Sequence, residues 1–139
     1  MKKCSKIIAY VDGASRGNPG PSSLGVVLYN EKKEVLGDLS IRIGNATNNI
    51  AEYYALIFAM QEAIMMQAKE LALFTDSELL AKQYSGEYKI KDENLKRLAV
   101  IIAHLKKGFK KITVSHVPRE ENTEADKMAN QALDQESFL

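Results

Sequence analysis

Two short apolar runs, each closed by an aspartate, constrain this chain more than any other feature. Ile7-Ile8-Ala9-Tyr10-Val11 leads into Asp12, and Leu71-Ala72-Leu73-Phe74-Thr75 leads into Asp76. A continuous apolar run of this length reads as a strand buried on both faces. Such strands need cover on both sides of their sheet, and each aspartate then marks where the core stops.

The rest of the chain supplies that cover. Leu24 to Tyr29 and Val35 to Ile43 read as two more strands, joined by Asn30-Glu31-Lys32-Lys33 into an antiparallel hairpin. Ile50 to Ala68 carries a helical apolar stripe, with Asn48 or Asn49 as its expected cap. Ser77 to Tyr84, Asn94 to Lys106 and Thr123 to Leu133 are further helices, and Ile112 to Val117 is a fifth strand. Gly17-Asn18-Pro19-Gly20-Pro21 reads as a turn, too short to separate domains. The expected order is βββ-α-β-α-α-β-α. This predicts a single α/β domain over 1–139, with a mixed five-stranded sheet. Its first three strands form an antiparallel meander, and helices lie on both faces. Right-handed crossovers place the fourth strand beside the first. Ligands of such sheets bind outside the carboxyl ends of the strands, where the strand order reverses.

Asp12 and Asp76 are therefore expected side by side, each ending its strand. Glu52 lies near the start of the first helix and Asp126 in the first turn of the last. Taken singly, each acid has a plainer role as a turn residue, a cap or a complement to a helix dipole. Together they suggest one spot. Four carboxylates within ~5 Å repel one another and must hold protons or bind cations. Oxygen ligands select hard cations, Mg²⁺ or Mn²⁺, and four negative charges balance two divalent ions. Such a pair of ions suits phosphoryl transfer.

Composition bears on the partner and the setting. The net charge of +1 lacks the basic excess usual for a nucleic-acid binder. The balance is uneven along the chain, however. Residues 82 to 111 hold nine lysines and arginines against Glu87, Asp92 and Glu93. That segment is either a solvated face or a binding ridge, with Tyr84 and Tyr88 placed for sugar or base contacts. The single cysteine, Cys4, excludes an internal disulfide framework and any cysteine-based zinc cluster, and it is expected to be inert. No apolar run approaches the ~20 residues of a membrane span, and the start of the chain lacks a signal-peptide pattern. A cytoplasmic monomer without membrane contact is expected.

The acids sit in recognisable surroundings. These are Tyr10-Val11-Asp12-Gly13-Ala14-Ser15 with Arg16-Gly17-Asn18-Pro19-Gly20, then Thr47-Asn48-Asn49-Ile50-Ala51-Glu52, Thr75-Asp76-Ser77, and Asn122-Thr123-Glu124-Ala125-Asp126. In this order they resemble type 1 ribonuclease H, in a compact form, over roughly residues 6 to 135. The resemblance implies a ribonuclease H-like fold. It also implies an endoribonuclease that hydrolyses the RNA strand of RNA–DNA hybrids by two-metal-ion catalysis, leaving 5′-phosphate and 3′-hydroxyl ends. Asp12, Glu52, Asp76 and Asp126 become the metal-binding catalytic acids. Gly13, Ala14, Ser15 and Asn18 match positions where backbone and amide groups contact the hybrid. Thr47 and Asn48 match a pocket for a DNA-strand phosphate. Ser77 and Asn122, inside the third and fourth segments, complete the expected substrate-binding set.

Three departures from the family pattern stand out. Many relatives carry a loop histidine before the last aspartate. Here the link His116-Val117-Pro118-Arg119-Glu120-Glu121-Asn122 is short. His116 falls within the expected strand and reads as structural, so Arg119 is assigned the loop role beside the scissile phosphate, with Glu120 near the same tip. Glu78 stands where bacterial relatives often have an amide. The link Ser85 to Glu93 is too short for a long basic handle. His104 reads as solvated. The rival reading is a ribonuclease H-like nucleic-acid-binding domain with weak or no hybrid cleavage. A third is a reverse-transcriptase fragment or a nuclease of other nucleic-acid structures.

Overall fold

Alternation along the first strand decides the layering. Ile7, Ala9 and Val11 are fully buried, while Ile8 and Tyr10 between them are half-buried. One face of the strand therefore lies under deep cover and the other under partial cover. The computed structural model describes residues 5–135; Cys4 lies outside them. The strands are β1 (Lys6–Ser15), β2 (Gly20–Tyr29), β3 (Val35–Ala46), β4 (Glu70–Thr75) and β5 (Lys111–His116). The helices are α1 (Asn48–Met65), α2 (Glu78–Tyr84), α3 (Glu93–Lys106) and α4 (Thr123–Asp134), with a short 3-10 turn at Arg119–Glu121.

The five strands form one sheet in the order β3-β2-β1-β4-β5. β1 pairs antiparallel with β2, and β2 with β3, so the meander forms as expected. β4 lies parallel to β1 on one side and to β5 on the other. The order thus reverses at β1 and β4, where the two apolar runs meet. α1 packs on β1 and β2 with α3 against its back, while α4 packs on β1, β2 and β3. Met60, Leu56, Leu71, Leu73 and Leu24 fill the core beneath α1.

Several boundaries differ from expectation: β2 begins at Gly20 rather than Leu24, taking Gly20 and Pro21 out of the expected turn, and β3 runs on to Ala46 rather than Ile43. β1 does not end at Asp12 but continues to Ser15, because Gly13, Ala14 and Ser15 still pair with Leu24, Ser23 and Ser22 of β2. The cap of α1 is Thr47, whose side chain accepts from the Ile50 amide at 3.2 Å. Asn48 and Asn49 follow it in the first turn. At its other end α1 stops at Met65, short of Ala68. Gln67 takes a left-handed φ of 62°, and the Ala68 amide folds back to the Ala63 carbonyl at 3.0 Å. Among the described residues no helix is long and apolar enough to cross a membrane.

Candidate active site

The register of the two central strands puts their acids at one level. β1 and β4 pair in parallel up to Val11 and Thr75. Asp12 and Asp76 are the next residues on each chain, so they stand side by side at the carboxyl end of the sheet. Asp76 follows the last residue of β4 directly and precedes Ser77, which caps α2 by accepting from the Leu80 amide at 3.1 Å.

Two glycines bring helices onto this spot. Gly25 of β2 is the cross-strand partner of Asp12. A Cβ there would lie 2.1 Å from the Ala125 carbonyl oxygen of α4, so this face of the sheet meets α4 at backbone contact. Cross-strand partners share a face, and Asp12 is thereby directed to the side that carries Asp126. Gly13, the next residue, points the other way. A Cβ on it would lie 2.4 Å from Ala51 C and Glu52 N of α1. Only glycine lets α1 close on β1 there, and that closure delivers Glu52. Gly13 of β1 and Gly25 of β2 therefore admit helices on opposite faces of the sheet.

The result is a compact acid cluster. Carboxylate oxygens of Asp12, Glu52 and Asp76 lie within 4.8 Å of one another. Asp126 sits beside Asp12 and disfavours its ionised form. Asn130, one turn further along α4, donates from Nδ2 to the Asp126 carbonyl at 3.0 Å and to its carboxylate at 3.2 Å. Burial is the main cause that pushes Asp12 up to about 10, with the charges of Glu52 and Asp76 adding to it. Glu52 is pushed up to about 8 by burial and by Asp76, opposed by a backbone hydrogen bond from Gly13 and by the charge of Arg119. Glu52 Oε2 is buried with no hydrogen-bond partner. A buried acceptor without a partner is costly, and a hard cation is the species that oxygen donors like these accept. The residues fit divalent metal ions.

An open cleft of about 400 Å³ surrounds the acids. Gly13, Ala14 and Ser15 form one wall, and Asn48 and Ser77 stand at the starts of α1 and α2 on another. Arg119 reaches the rim from the 3-10 turn and faces Glu52. Thr47 and Asn18 do not line the cleft. Thr47 spends its hydroxyl oxygen on the cap, while Asn18 Oδ1 accepts from the Asn48 amide at 3.0 Å and ties the β1–β2 turn to α1.

Three expectations are corrected. Asn122 is 1% exposed and does not face the cleft. Its Nδ2 donates to the Val11 carbonyl at 2.8 Å, so it anchors the start of α4 to β1 just before Asp12. Tyr84 turns its hydroxyl inward and leaves Tyr88 as the exposed aromatic of the pair. His116 ends β5 with its side chain exposed near Glu78, rather than packed. Gly25 and Asn130 were not anticipated. A lone glycine inside an apolar strand signals close backbone approach, and an asparagine four residues after a helical aspartate shares its face.

Comparison with known proteins places this geometry. The family described as reverse transcriptase-like matches residues 10–132. Ribonuclease HI of Halobacterium salinarum is 43% identical over 129 residues, which span 93% of this chain and 65% of that protein. Its crystal structure superposes with a TM-score of 0.90 at 43% identity, covering 93% of this chain and 98% of that one. A bifunctional protein of Mycobacterium tuberculosis is 42% identical over 93% of this chain but only 36% of its own length. The chain thus spans about a third of its mycobacterial relatives. LC11-RNase H1, solved in complex with an RNA/DNA hybrid, has a TM-score of 0.88 and 42% identity, covering 92% of this chain and 96% of that one.

Proposed function

The chain belongs to the type 1 ribonuclease H family, and on that premise we propose that it is a metal-dependent endoribonuclease hydrolysing the RNA strand of RNA–DNA hybrids. One observation carries the reading: Asp12, Glu52 and Asp76 bring carboxylate oxygens within 4.8 Å at the end of the central strands, in an open cleft. The complex of LC11-RNase H1 with a hybrid supports the choice of substrate.

Each residue of the cleft then has a task. Asp12, Glu52, Asp76 and Asp126 would hold the divalent ions, which when bound lower the pKa of coordinated water and offset charge on the leaving 3′ oxygen. Gly13, Ala14 and Ser15 present strand backbone to the RNA, where a 2′-hydroxyl distinguishes RNA from DNA. Asn48 and Ser77, at helix starts, offer polar groups to the sugar–phosphate backbone. Arg119 opposes negative charge on the scissile phosphate. Two ions, magnesium or manganese, products with 5′-phosphate and 3′-hydroxyl ends, and a cytoplasmic monomer belong to the same reading.

The test is to incubate labelled hybrid, double-stranded RNA and double-stranded DNA with folded protein and Mg²⁺ or Mn²⁺. Cleavage of the RNA strand of the hybrid is expected. A folded protein that leaves the hybrid intact with both metals refutes the proposal.

A further inference from the structure

Away from the acids, α1, α2 and α3 border a second, half-open space that the proposed reaction does not use. It is a cavity of about 150 Å³ walled by apolar side chains, among them Leu56, Leu80, Ile90 and Ile102. Polar groups converge on it unequally. Tyr53 Oη donates to Gln83 Oε1 at 2.5 Å, and Gln83 Nε2 donates to the Lys89 carbonyl at 3.4 Å, so both side chains are engaged. Tyr84 Oη is buried and has no hydrogen-bond partner. Lys106 lines the cavity with its Nζ 5.3 Å from the centre of the Tyr84 ring, and it makes no ion pair among the described residues.

This combination has a ligand chemistry. An apolar cavity of roughly 150 Å³ takes one six-membered ring. A buried phenol without a partner asks for an acceptor, since leaving it unmade costs free energy. A free ammonium at the wall favours negative charge nearby. We propose that this cavity binds a small planar aromatic carboxylate, with its ring between Leu56, Leu80 and Ile102, its acceptor on Tyr84 Oη and its charge toward Lys106. Tyr53 follows Glu52 directly, and Leu80 lies one turn past Ser77. Such a ligand would therefore brace α1, which carries Glu52, and α2, whose cap Ser77 follows Asp76.

Benzoate is the probe, with toluene as the ring lacking an acceptor. Benzoate should bind saturably with a Kd on the order of millimolar. It should raise Tm by about 4–6 °C at ten times Kd. Methyl resonances of Leu56, Leu80, Ile90 and Ile102 should shift, and those remote from the cavity should not. Tyr84→Phe should weaken benzoate at least about fivefold while leaving toluene and hybrid cleavage unchanged. Ala99→Leu, which fills the cavity, should abolish binding of both. Should the filled variant fail to fold, Tyr84→Phe alone decides. Non-saturable binding, shifts elsewhere in the protein, equal affinity in Tyr84→Phe, or a crystal at saturating benzoate with only water on Tyr84 Oη would each overturn the proposal. None of these outcomes depends on whether the protein cuts a hybrid.

Discussion

The acid cluster and the basic segment 82–111 are built on opposite plans. The acids stand on the central strands and on helix turns pressed against them, with Asp12 and Glu52 nearly buried. Their positions follow from backbone contact at Gly13 and Gly25, where even a methyl group is excluded. The basic residues lie on exposed helix surface and loops. Lys96 pairs with Glu93 at 3.2 Å and Lys82 with Glu78 at 3.0 Å, both across single helix turns. Pairs of this kind are worth little and hold no fixed geometry. On the proposed function, chemistry falls where backbone contact fixes the acids, and a basic segment used for grip would spread it over charges that can be exchanged one at a time.

The sharpest way to break the comparison is Asp12→Asn. Cleavage should fall by at least about 10³-fold. The metal-free protein should nevertheless gain about 1–3 kcal/mol at pH 8, because the buried Asp12 carboxyl must take up a proton there that the unfolded chain has lost, and asparagine needs none. The sign follows from the protons. Asp12 and Glu52 are raised to about 10 and about 8 in the folded chain, against 3.8 and 4.5 for free groups. The folded state thus binds more protons than the unfolded one across that window, and its stability falls as pH rises from about 4 to 8 and beyond. Thermal melts in a chelator should show that decline, with a smaller slope in Asp12→Asn, and divalent ions should reverse it. A chelated protein that grows more stable between pH 5 and 8 would contradict the burial argument.

Gly13→Ala comes next. The added Cβ meets Ala51 and Glu52 backbone at 2.4 Å, so α1 must shift. A loss of about 2–3 kcal/mol in denaturant unfolding is expected. A roughly 10²-fold loss of activity should accompany it as Glu52 moves. Wild-type activity in this variant would mean that the interlock does not set the site.

Arg119→Ala should lower kcat about tenfold with KM little changed, since one charge at the cleft is lost. His116→Ala, on an exposed strand end, should stay within about twofold. The opposite ranking in steady-state kinetics would transfer the loop role to His116. Smallest are Lys96→Gln and Arg97→Gln. Each should raise KM about two- to threefold and reduce the salt slope of hybrid binding by about 0.7–0.9. A tenfold effect from either would mean that the basic face is as specialised as the acids.

Much of this contrast was legible in the residues. The runs before Asp12 and Asp76 imposed buried neighbouring strands, and the strand order then had few solutions. Asp12 and Asp76 were legible because each ends an apolar run, and Glu52 and Asp126 because each lies near a helix start within a segment that resembles the family. What escaped depends on contacts between distant segments. Gly25 reads as an ordinary strand residue until α4 lies on it. Asn122 reads as polar and therefore exposed, yet its amide is spent on a carbonyl 111 residues away. Thr47 and Asn48 are equally good caps by composition, and only the backbone turn selects Thr47. Tyr84 and Tyr88 look alike in sequence, and the packing of α2 against α1 and α3 separates them.

The tether between Asn122 and Val11 has a consequence for synthesis. Asp12 leaves the ribosome well before the last acid and its anchor, which follow more than a hundred residues later. At common elongation rates that gap is roughly 6–23 s. Throughout it the acid cluster is incomplete, although by its end all five strands have been made. On the proposed function, the site becomes competent only once its final helix has docked.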